Sequence, residues 1–121
     1  MNYLAIALAT VAGMIVGWLW FGPLFGRVWR RLTNDPKPNP GVVYPITLVL
    51  TAVTAFVIAY VAQPGLGAAL LTAAVLWLFV AARTLIVTLF EARPLKLWLI
   101  HSGHDLAVVA VIGTIIGLMG A

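Results

Sequence analysis

Four runs of apolar residues, each long enough to cross a bilayer, follow one another along the chain at residues 3–22, 42–62, 66–90 and 95–119. A spanning helix takes about 20 mainly apolar residues, so the pattern predicts four transmembrane helices. Alternation at a period of two is absent, which argues against a β-barrel. The expected fold is all-α: an integral membrane four-helix bundle forming a single domain over residues 1–121.

The connections are uneven. Gln63-Pro64-Gly65 reads as a tight uncharged turn and Glu91-Ala92-Arg93-Pro94 as a tight charged one, while residues 23–41 form the one long connection. Pro36, Pro38 and Pro40 remove donors and fix φ, so the last part of that connection is expected to be non-helical. Ahead of it, Phe25, Val28, Trp29 and Leu32 alternate with Arg27, Arg30 and Arg31. This pattern suits a short helix lying in the cytoplasmic interface, with the three arginines on anionic lipid headgroups.

Composition identifies the solvent. Of 121 residues 64% are hydrophobic and 8% charged, against about 25% charged in soluble domains. A short chain cannot hide that much apolar surface in one core, so lipid must cover it. The net charge of +4 does not indicate nucleic acid, because six of the seven basic residues fall in the first and third connections, where headgroups are nearer. By the positive-inside rule these connections face the cytoplasm and both termini lie outside. Trp18, Trp20, Trp29 and Trp98 then fall near the cytoplasmic interface, and Tyr3 and Tyr60 near the outer one. No basic segment precedes the first span, which is expected to be retained rather than cleaved. The absence of cysteine excludes disulfides, thiolate metal sites and cysteine nucleophiles.

Two charged residues lie inside the spans. Arg83 is eleven residues before Pro94 and Asp105 eleven after it, which puts both about 16 Å from the turn of an antiparallel hairpin. A charge at mid-membrane costs about 2.5–3.5 kcal/mol on insertion scales and usually takes a partner, so the spacing predicts an Arg83–Asp105 ion pair. His101 and His104 join the cluster, His101 four residues before Asp105 on the same helix face. Thr47, Thr51 and Thr54 recur on the second span at the depth of His101 and Asp105 and are candidates to line a pathway. Thr10, Thr72 and Thr114 would have to carry it outward. The plainer readings are that the ion pair fixes hairpin register, that each histidine bonds between helices, and that the threonines back-bond within their own helices. His101, His104 and Asp105 are weak metal candidates, lacking a fourth ligand and a recognised motif; no cofactor is implied. Gly13 and Gly17, and Gly113 and Gly117, repeat every four residues and suit close helix packing, within the bundle or between copies.

The segment Gly17-Trp18-Leu19-Trp20-Phe21-Gly22-Pro23-Leu24-Phe25-Gly26 with Trp29 resembles the first-helix signature of a mainly bacterial family, domain of unknown function 1761. So does Leu89-Phe90-Glu91-Ala92-Arg93-Pro94-Leu95-Lys96-Leu97-Trp98-Leu99-Ile100-His101-Ser102-Gly103-His104, which precedes a glycine-rich final helix. The resemblance covers nearly the whole chain in order. It implies a small four-helix protein of the bacterial cytoplasmic membrane and lends no activity.

Three functions compete. The first is transport or conduction of a small ion or solute through the Arg83, His101, His104 and Asp105 cluster, with a homo-oligomer expected. The second is an accessory or scaffold protein that associates through its glycine-rich helix faces, the charged pair being structural. The third, a membrane enzyme with His101 as base oriented by Asp105, ranks below both: Ser102 is the single nucleophile in reach and no extended loop binds a polar substrate.

Overall fold

The structure is a computed structural model that describes residues 2–34, 37, 39–61 and 65–119. In chain order these form α1 (Tyr3–Leu19), a π-helical turn (Trp20–Leu24), α2 (Gly26–Leu32), α3 (Pro40–Val61), α4 (Leu66–Phe90) and α5 (Leu95–Met119). No strand occurs among the described residues. Four helical segments are long and apolar enough to cross a membrane: Tyr3–Leu24, Pro40–Val61, Leu66–Phe90 and Leu95–Met119. The expected turn at Gln63 and Pro64 lies outside the described residues.

The fold turns on α5, which packs against α4 and α1 along their lengths and touches α3 and α2. It also buries more residues than any other helix, from Leu97 to Ile116. Lipid tails are as apolar as leucine, so helices in a bilayer gain most from close van der Waals packing between small residues. The glycines are placed for this. A Cβ on Gly117 would lie 2.6 Å from Leu66 Cα, and one on Gly113 would lie 3.2 Å from the Ala69 carbonyl oxygen, so both let α5 close onto α4. A Cβ on Gly13 would meet Thr51 at 3.0 Å, and one on Gly17 would meet His104 at 3.1 Å. All four glycines thus face neighbouring helices inside the bundle.

The helix ends are fixed by specific caps. Asn2 caps α1 by accepting from Ala5 N–H, while its own amide donates to the Met119 carbonyl at 3.3 Å. That contact holds the start of α1 and the end of α5 at one level. At the other end of α1, Pro23 has no N–H to continue the α ladder, and the chain widens into a π turn closed by Phe25 N–H donating to the Trp20 carbonyl. Gly26 follows because a Cβ there would strike the Phe21 carbonyl oxygen. The short helix expected at 24–32 begins at Gly26 and folds back so that Trp29 reaches α5. Proline-rich 36–40 was expected to be non-helical, yet α3 begins at Pro40. The first turn tolerates proline, since its N–H would be unpaired anyway, and Asn39 accepts from Gly41 N–H at 3.0 Å.

The packing of α3 shapes everything that follows. Its buried residues, Ala55, Ile58 and Ala59, all lie in its second half, while residues 40–50 are exposed throughout. The two small residues let α3 close on the bundle at that end. At the other end Tyr44, Pro45 and Thr47 provide no small-residue face, and α3 stands off.

Candidate functional site

The gap left by α3 is a cavity of about 880 Å³ between α1, α2, α3 and α5. Its lining comes from corresponding levels of three spans. Counted from the ends that carry the basic connections, His101 to Asp105, Thr47 to Thr51, and Gly17 to Gly13 lie at depths of about 9–17 Å. One turn further in, the core of Ala9, Ala55, Ile58, Ile112 and Ile116 is shut, each residue being at most 1% exposed. The cavity is open in the half of the bundle on the basic side and closed by an apolar floor in the other.

The polar wall is built on α5. His104 Nδ1 donates to Asp105 Oδ1 at 3.3 Å, because a carboxylate can only accept. Their side chains are 23% and 42% exposed, so both are within reach of a molecule in the cavity. Trp29 on α2 donates its indole N–H to His101 Nε2 at 3.3 Å. Indole nitrogen is a donor only, which makes His101 Nε2 the acceptor and leaves the imidazole proton on Nδ1. Phe21 packs against both histidines and against Trp29, with ring centroids 4.8–5.6 Å apart. Trp20 seals the seam behind: its indole donates to the Ile100 carbonyl at 2.9 Å, and its ring lies where a Cβ on Gly103 would come within 2.9 Å. Facing this wall, Thr47, Thr51 and Tyr44 of α3 and Trp18 of α1 complete the lining.

The structure brings together His101, His104, Asp105, Thr47 and Thr51, but it does not bring Arg83 to them. Arg83 is exposed; the ion pair among the described residues is Arg93 with Glu91 at 3.5 Å, and His104 meets Asp105 through a hydrogen bond. The expected Arg83–Asp105 pair does not form. Equal depth was the premise, and depth says nothing about rotation. Ala69, Ala73 and Ala81 mark the buried face of α4, and Arg83, two residues past Ala81, is turned about 200° from it. No charged residue is buried among the described residues.

The other assignments are modified as well. Thr54 does not line the cavity; it donates to the Leu50 carbonyl. Thr10, Thr72 and Thr114 each donate to the carbonyl four residues back instead of to one another or to the cavity residues. Among the described residues no three His, Cys, Asp or Glu side chains converge on a point that could hold a metal ion; His101 Nε2 and His104 Nδ1 already have partners. Ser102 is buried and donates to the Trp98 carbonyl, so it is no free nucleophile for His101. Trp98 and Trp77 also spend their N–H groups inside the protein, on the Ala81 and Ser102 carbonyls respectively. The sequence did not single out Trp18, Phe21, Trp29 or Tyr44 as site residues. The available signal was the aromatic run Trp18-Leu19-Trp20-Phe21 at the same level as His101 and His104.

The family model described as "Protein of unknown function (DUF1761)" matches residues 4–117. No curated protein and no solved structure matches the chain.

Proposed function

The chain belongs to the DUF1761 family, a premise that carries no activity, and from the cavity geometry we propose that it carries a small solute across the membrane. One observation supports this reading above the rest: a cavity of about 880 Å³, mainly apolar but with His101, His104 and Asp105 on one wall, open in one half of the bundle, with a dry core of Ala55, Ile58 and Ile112 behind it. That is the form of a carrier facing one side, with the core as its closed gate. The volume is in the range of sites for small organic molecules, about 300–1,000 Å³. It exceeds what a proton or a metal ion needs.

In this reading the basic connections face the cytoplasm, and Arg27, Arg30 and Arg31 hold α2 against anionic headgroups. The moving part is α3. Its first half, up to Leu50, is exposed, and Thr51 already meets Gly13 and Met14 of α1, so a tilt about Thr51 that closes the Tyr44–Leu48 segment over the cavity would part Ala55 and Ile58 from Ile112 and open the opposite side. Four helices of one chain line the cavity.

The chain has no cysteine, so single cysteines report water access without background. In proteoliposomes, Thr47→Cys and Thr51→Cys are expected to react with a membrane-impermeant maleimide from the side of the basic connections. Ala55→Cys and Ile112→Cys are expected to be protected from that side and to react from the opposite side in a fraction of molecules. Thr47→Cys and Thr51→Cys that react from neither side would mean a lipid-filled cleft and the end of the carrier reading.

A further inference from the structure

We propose that the solute is a small organic cation, an amine or quaternary ammonium, held with its charge beside Asp105 and its apolar part against aromatic rings. This inference rests on the carrier reading for its setting, but it concerns the recognition chemistry of the cavity alone.

Charge is the first argument. None of the seven Lys and Arg residues lines the cavity, and Asp105 is the one formally charged group that does. An ionised carboxylate about 15 Å into a membrane protein calls for a cationic partner. Arg83 faces elsewhere, and among the described residues the partner of Asp105 is the His104 Nδ1–H at 3.3 Å. That bond satisfies one side of the carboxylate and leaves it facing an open cavity. An anionic solute would meet Asp105 with nothing to offset it. His101, whose Nε2 accepts from Trp29, adds no positive charge.

The second argument is the nature of the remaining wall. Trp18, Phe21, Trp29 and Tyr44 line the same cavity, and ring faces carry the negative end of the aromatic quadrupole, to which cations are drawn. Trp18 and Tyr44 are 65% and 60% exposed, so their faces are not consumed by packing in the bundle. Carboxylate and exposed rings around an open volume form a site that attracts positive charge and also shelters methyl or aryl groups. A bare metal ion would find no converging ligand set there. A neutral sugar would lack the density of paired donors and acceptors that its hydroxyls require.

The test is binding to the purified full chain in nanodiscs by calorimetry, with three probes of similar size: benzyltrimethylammonium, neopentylbenzene and benzenesulfonate. The cation is expected to bind, and the neutral and anionic probes to bind at least tenfold more weakly. Asp105→Asn is expected to weaken the cation tenfold or more, Asp105→Glu to keep most of the affinity, and Trp18→Ala to weaken it severalfold. Helicity by circular dichroism establishes that each variant is folded; if Asp105→Asn is not, the Trp18→Ala variant and the ranking of the three probes decide. Equal binding of the neutral or anionic probe, or cation binding indifferent to both substitutions, overturns the assignment. Cation binding without flux in proteoliposomes sinks the carrier reading and leaves the assignment standing. Flux of an anion or neutral solute does the reverse.

Discussion

Ala92 holds a conformation that its side chain disfavours. Its φ is 53°, in the left-handed region where a Cβ costs about 1–2 kcal/mol. The position demands it: Arg93 N–H donates to the Thr88 carbonyl and Ala92 N–H to the Leu89 carbonyl, the paired bonds that end a helix with its last residue left-handed. Ala92→Gly is therefore expected to stabilise the protein by about 1 kcal/mol. Thermal unfolding in detergent, followed by circular dichroism, should show a raised midpoint, and a lowered one would contradict the cap geometry. His104 and Asp105 are adjacent residues that nonetheless bond each other side by side. That bond turns the carboxylate toward the cavity wall shared with Gly17, where a Cβ would come within 3.1 Å of His104 Nε2.

Between elements, α5 meets α4 and α3 in unlike ways. Against α4 the contact is backbone to backbone, with Gly117 over Leu66 Cα and Gly113 over the Ala69 carbonyl. Backbone cannot step aside as a flexible side chain can, so a larger residue must force the helices apart. Gly117→Val is expected to destabilise the α4–α5 hairpin by about 1–3 kcal/mol, the usual cost of overpacking, with a matching drop in resistance to unfolding by a denaturing detergent. Variant stability equal to that of the native chain would place α5 further from α4 than described. Against α3 the contact is confined to one half, with Ala55 and Ile58 on Ile112. The free half is the consequence on which the carrier reading depends.

For the whole molecule, Arg83 is the odd charge. It interrupts an outward stripe of Phe79, Ile86, Val87 and Phe90, all of them exposed, and it takes no part in the cavity. An arginine facing lipid opposes insertion by up to about 3 kcal/mol. Arg83→Leu is therefore expected to raise the membrane-insertion efficiency of a tagged α4 segment and to leave organic-cation binding by the full chain unchanged. Loss of binding as complete as in Asp105→Asn would show that Arg83 and Asp105 are coupled in the assembled protein despite their separation here.

Much of this was legible before any coordinates. Four apolar runs set four crossings, because a bilayer admits only helices or closed barrels and the runs lacked a strand period. Counting residues from the turns placed Thr47, Thr51, Thr54, His101, His104 and Asp105 in one layer, because helical rise is constant at about 1.5 Å per residue, and of these Thr54 does not line the cavity. Helix rotation was less visible. Ala68, Ala69, Ala73, Ala74, Ala81 and Ala82 mark no single face of α4, so equal depth alone suggested that Arg83 and Asp105 meet. Only tertiary structure decided that α3 packs through half its length, since a gap arises from how three helices lean together and no single helix encodes it. It alone brought Trp29 onto His101, 72 residues apart in sequence. The sequence thus determined which residues share a level in the membrane; the packing of α5 against its neighbours determined which of them face the same space.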